Sequence, residues 1–75
     1  MKTLAEFADL LDDQLGMRLT EQQLVLDFDE VAGWDSAQLL HLLVLLERET
    51  GRPLPFARLL EARSFAEVYD IAVAR

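Results

Sequence analysis

Residues 39–46 hold seven aliphatic side chains around a single histidine, His41, and this run sits between strong helix signals. Asp35 and Ser36 are both favourable N-cap types, Gln38 stands three residues after Asp35, and Gly51 and Pro53 follow Thr50. The spacing predicts a strongly apolar helix that ends near Thr50. Leu39, Leu40, Leu42, Leu43, Val44, Leu45 and Leu46 cover more than one stripe of such a helix, so one packing face does not bury them all. Some of them are expected to be exposed for a purpose. Eight residues fall far short of the roughly 20 that a membrane-spanning helix needs.

The flanking segments supply what this helix packs against. Leu4, Phe7, Ala8, Leu11 and Leu15 recur at three- and four-residue steps among Glu6, Asp9, Asp12 and Asp13, which predicts an amphipathic helix over residues 2–15 with Gly16 as its stop. From residue 17 to residue 34 the periodicity is lost, and Leu19, Leu24, Leu26, Phe28 and Val31 read as apolar anchors of a long loop. Within it, Thr20 followed by Gln23 suits a cap for one short turn. Pro55 fits the first turn of a short helix through about residue 60, and Ser64 with Glu67 forms a capping-box pattern opening a last helix through residue 74. On that helix Phe65, Val68, Tyr69, Ala72 and Val73 form the expected inward face. The fold class expected is all-α: a small four-helix bundle, three main helices plus one short one, with a long loop between helices one and two. Residues 1–75 read as one domain.

Composition narrows the function. A 75-residue chain buries only about 60% of its unfolded surface, which leaves little material for an enclosed enzyme cleft. The 14 carboxylates against 7 Lys and Arg give a formal net charge of −7, the wrong sign for binding nucleic acid and the right sign for a basic or mixed protein surface. There is no Cys, hence no disulfide, thiolate nucleophile or sulfur-ligated metal. Glu6 and Asp9 interrupt any apolar run near Met1, so no signal segment is expected, and the chain reads as a soluble, cytoplasmic protein with no membrane partner.

Individual polar groups point away from catalysis and metals. His41 is alone and reads as an exposed or rim histidine. Counting a calcium loop from Asp27 puts Val31 at the fifth position, Ala32 where Gly belongs and Gln38 at the twelfth, so no metal is expected there. The many carboxylates read as solvated surface charge rather than as an acid/base pair. Ser36 is the informative residue. His41 lies five residues on along the same helix and points away from it, so no Ser-His-Asp arrangement is credible. Either Ser36, or Asp35 before it, is merely a helix cap, or the serine uses the partial positive charge and free N–H groups of the helix start to hold a phosphate ester.

The run Gly33-Trp34-Asp35-Ser36, the helix ending Leu45-Leu46-Glu47 through Gly51, the following Leu54-Pro55 and the closing Ser64-Phe65-Ala66-Glu67 together resemble an acyl or peptidyl carrier protein, over nearly the whole chain. Ala37 stands where such carriers commonly have Leu or Met, and Gln38 and His41 where carboxylates are common. The resemblance implies that Ser36 is esterified by 4′-phosphopantetheine, transferred from coenzyme A by a separate phosphopantetheinyl transferase, and that the terminal thiol holds cargo as a thioester. It implies that Asp35 helps the transferase engage the serine. The exposed face of the second helix, Ala37, Leu40, His41 and Val44 with Trp34 before it and Glu47 and Arg48 near its end, would dock partners, while Leu39, Leu42, Leu43 and Leu46 turn inward or toward a cargo groove.

The expectation is therefore a freestanding, monomeric, non-catalytic carrier of acyl or aminoacyl intermediates, in metabolism of the polyketide or nonribosomal peptide type. Its implied partners are the transferase, a loading ligase or acyltransferase, and downstream condensing, modifying or thioesterase enzymes. The competing reading is an acidic helical interaction module in which Ser36 is only an N-cap. A small hydrolase using Ser36 would need a base that the local sequence does not supply.

Overall fold

The computed structural model describes residues 3–74. Among them are five α-helices: α1 (Leu4–Leu15), α2 (Glu21–Leu24), α3 (Ser36–Thr50), α4 (Phe56–Glu61) and α5 (Phe65–Val73), with a 3₁₀ turn at Phe28–Glu30 and no strand. The protein is a small all-helical bundle, as its apolar spacing requires. It has one helix more than the four expected, because the segment 17–34 is not a plain loop. Thr20 and Gln23 close both bonds of a capping box, at 3.2 and 2.9 Å, and the fully buried Leu24 pins the resulting turn to the core beside α1.

Each helix end has a local cause. The Thr3 hydroxyl accepts the Glu6 N–H at 3.1 Å and starts α1; the expected start at Lys2 lies outside the described residues. Gly16 and Gly51 end α1 and α3 at φ of 67° and 71°, left-handed conformations in which a Cβ is strained. Helix α4 begins at Phe56 rather than Pro55, whose ψ of 97° keeps it outside the helix as the N-cap. Ser64 caps α5 by accepting from Glu67 N–H, but Glu67 reaches back one residue further than a capping box requires and accepts from Arg63 N–H. The helix stops at Val73, one residue short of the expected end.

The core gathers Phe7 and Leu11 of α1, Leu24, four leucines of α3, Leu54, Leu59, and Phe65, Val68 and Ala72 of α5. Each such large side chain stabilises the fold by about 1.5–3 kcal/mol. Tyr69 is half-buried with its ring 5.6 Å from that of Phe7. Val73, expected to face inward, is exposed: it follows Ala72 by one position, and the 100° step turns it off the packed stripe.

Two connections lock the bundle. After α3, Leu54 N–H donates to the Glu47 carboxylate at 3.0 Å and the Arg52 guanidinium to the Ala72 carbonyl at 2.6 Å. Between the helices, Phe28 N–H donates to the Arg63 carbonyl at 2.7 Å, which ties the 3₁₀ turn to the start of α5.

Candidate functional site

The start of α3 is built by the two residues on either side of Ser36. Asp35 has extended backbone and is the N-cap: its carboxylate accepts the Gln38 N–H at 3.0 Å, and its carbonyl accepts Leu39 N–H at 3.1 Å as the first rung of the helix. Capping is therefore done by Asp35, and Ser36 is the first helical residue. The Ser36 side chain is exposed, and its hydroxyl has no hydrogen-bond partner among the described residues. At the first two helical positions the N–H groups of Ser36 and Ala37 have no intrahelical acceptor and lie where an anion on Ser36 Oγ would benefit from them.

Behind the serine, Trp34 is anchored rather than displayed. Its ring stacks on Phe28 at 5.1 Å and meets Phe65 edge-on at 4.6 Å, and these aromatic contacts hold it half-buried against the core. Of the expected docking residues, Trp34 thus has most of its ring committed to the interior. Ala37, Leu40, His41 and Val44 are exposed. Leu39, Leu42, Leu43 and Leu46 are buried.

The flanks of α3 can be told apart by what they meet. Leu45 and Glu49 share a surface hollow with Leu10 and Gln14 of α1, whereas Glu47 binds the Leu54 N–H just before α4. Val44 and Leu40, one and two turns before Glu47, lie between that flank and the solvent side of α3. On α4, Arg58 and Glu61 share a hollow with Glu67, Asp70 and Ile71 of α5, which leaves Phe56 and Leu60 on the opposite flank, toward α3. Leu40, Val44, Phe56 and Leu60 are 49%, 48%, 39% and 54% exposed, so the neighbouring helices α3 and α4 each present two large apolar side chains to solvent. Sequence reasoning found the α3 pair; Phe56 and Leu60 were missed because a helix of six residues has too few turns to show a face.

A second omission is Gln38. Its side-chain amide donates to the Gly33 carbonyl at 2.9 Å, bridging the turn that contains Ser36. The only signal for it was its spacing from Asp35, which reads as ordinary capping. The negative charge gathers elsewhere: Asp9, Asp12, Asp13 and Glu49 line a hollow between α1 and the end of α3. No described helix is long and apolar enough to cross a membrane, and no group of three or more His, Asp or Glu among the described residues is placed to hold a metal ion.

Comparison of the chain with protein families, characterised proteins and solved structures finds no match. Fold and site alone define the class: a small all-helical bundle that presents one unbonded serine hydroxyl at the start of its longest helix, with exposed apolar side chains on that helix and on α4.

Proposed function

We propose that this chain is an acyl or aminoacyl carrier, holding biosynthetic intermediates as thioesters on a 4′-phosphopantetheine arm attached to Ser36, in metabolism of the polyketide or nonribosomal peptide type. The observation that carries this reading is the division of labour between neighbours: Asp35 caps α3, so the Ser36 hydroxyl is exposed and without a structural bond. A cap serine would be held by the helix N–H groups. An attachment serine has to be reachable, and this one is.

The residues present suit the group. The arm would supply the thiol that a chain without Cys lacks. In loading, Ser36 Oγ forms a new bond to phosphorus as the pyrophosphate bond of coenzyme A breaks; adenosine bisphosphate leaves, and the serine proton passes to the transferase or to water. A phosphodiester on Ser36 Oγ would be favoured by the electropositive end of α3. The Ser36 hydroxyl bonds to no described residue, so its activation in loading would fall to the transferase. The exposed side chains of Leu40, Val44, Phe56 and Leu60 would dock the transferase, the loading ligase or acyltransferase, and downstream condensing, modifying or thioesterase enzymes.

Those same exposed side chains are the observation favouring the second reading, a helical interaction module. One experiment separates them: intact mass before and after incubation with coenzyme A, Mg²⁺ and a promiscuous phosphopantetheinyl transferase, with Ser36→Ala as control. Gain of a single phosphopantetheinyl unit by the wild type alone supports the carrier. An unchanged mass with several transferases moves the chain to the interaction class.

A further inference from the structure

The segment around Ser36 is held at both of its ends, and one of the two holds depends on a single side chain. On the N-terminal side Trp34 is fixed by Phe28 and Phe65, and its N–H donates to the Val31 carbonyl at 3.3 Å. On the C-terminal side, half-buried Gln38 does two things at once. Its backbone N–H donates to Asp35 Oδ1 at 3.0 Å, and its side-chain Nε2 donates to the Gly33 carbonyl at 2.9 Å. Because a carbonyl only accepts, the amide orientation is set by chemistry: the nitrogen must face Gly33. The side-chain bond closes a ring whose backbone runs from Gly33 through Trp34, Asp35, Ser36 and Ala37 to Gln38. Gly33 has φ of 78°, a left-handed turn that only glycine enters without strain, so the ring is built on the most deformable point of the segment.

We infer that Gln38 is a positioning residue for Ser36, holding the Gly33–Ser36 turn in the one conformation a modifying enzyme can use. This rests on the reading of Ser36 as an attachment point. The alternative role, helix stabilisation, makes the opposite prediction at this position. Gln38 is the third residue of α3, where a carboxylate is favoured by the helix dipole and by capping. Gln38→Glu therefore keeps or improves the helix start, while its carboxylate cannot donate to the Gly33 carbonyl and is repelled by it. If Gln38 serves the helix, Gln38→Glu is neutral or beneficial; if it serves the turn, Gln38→Glu is harmful to loading alone.

The kinetic signature follows from population shift. Without the clamp the free protein visits turn conformations that do not fit the transferase, which raises the apparent KM for the carrier by the inverse of the competent fraction and leaves kcat unchanged once the turn is captured. Loss of one hydrogen bond of this kind corresponds to about a two- to tenfold change.

The test compares wild type, Gln38→Glu and Gln38→Lys, a variant that retains a long donor. It measures the rate of phosphopantetheine transfer from coenzyme A against carrier concentration, melting temperature, and exchange of the Trp34 amide, whose N–H is bonded to the Val31 carbonyl. The expected result for Gln38→Glu is a KM raised about two- to tenfold with kcat and melting temperature kept, faster exchange of the Trp34 amide, and partial recovery of both in Gln38→Lys. Equal KM and equal exchange in wild type and Gln38→Glu overturn the inference while leaving the carrier reading intact. A wild type that accepts no phosphopantetheine overturns the carrier reading and this role with it.

Discussion

The Arg52 guanidinium donates a 2.6 Å hydrogen bond to the Ala72 carbonyl, joining the connection after α3 to the last turn of α5 across a separation of twenty residues. Carbonyls in a last turn lack intrahelical partners and carry partial negative charge, so a half-buried guanidinium is well matched to this one. Arg52→Met, which keeps length but removes the donor, is expected to cost about 1.5–3 kcal/mol. Urea unfolding followed by circular dichroism measures it; a loss below about 0.5 kcal/mol would show that the bond is replaced by water.

Ser36 and Asp35 should behave in opposite ways although they are neighbours. Ser36→Ala removes a hydroxyl that bonds to nothing and inserts a better helix former, so the melting temperature should hold or rise slightly while any covalent loading disappears. Asp35→Ala removes the cap and should cost about 1 kcal/mol, a fall of about 4–8 °C in a domain of this size. Asp35→Asn should restore most of that loss. Differential scanning calorimetry of the three variants checks the pattern, and an equal fall for Ser36→Ala would return the serine to a structural role.

Substitutions along α3 should separate by flank. Leu40→Glu and Val44→Glu place charge on side chains that are already half-exposed, so melting should change by less than about 1 kcal/mol, while turnover with partner enzymes weakens. Leu42→Ala or Leu46→Ala opens a cavity at a fully buried site and should cost about 2–5 kcal/mol. A large loss for Leu40→Glu would mean that Leu40 is part of the core.

Salt should stabilise this protein. Its net charge is −7, the five carboxylates of Glu6, Asp9, Asp12, Asp13 and Glu49 line one hollow beside α1, and two ion pairs among the described residues, Arg18–Asp12 and Arg63–Asp27, are long, at 3.6 and 3.7 Å, and well exposed. Screening therefore removes more repulsion than attraction. Melting temperature should climb by a few degrees, about 1 kcal/mol in effect, between low salt and 0.3 M NaCl. A fall over that range would mean that the exposed pairs outweigh the self-repulsion.

Much of the bundle is legible in the sequence because its helix signals are local. Thr3, Thr20, Asp35 and Ser64 each cap the N–H three residues on, and Gly16 and Gly51 each end a helix from its last turn. The inward leucines of α3 follow from the 100° step once one of them is placed. The same locality limited the reading of residues 17–34, where α2 makes sense only with Leu24 buried under it.

By itself, then, the sequence determined where α3 starts and stops, that α3 has more apolar surface than one neighbour can cover, and that Ser36 sits at the start of that helix. Only the tertiary structure decided that Asp35 rather than Ser36 is the cap, that Trp34 packs on Phe28 and Phe65, that Gln38 reaches back to Gly33, and that Phe56 and Leu60 are exposed as Leu40 and Val44 are. The reason is physical. Caps and periodicity depend on groups within one helical turn, whereas the rotamer of an amide, the partner of a ring and the exposed flank of a helix depend on which distant segments arrive beside them.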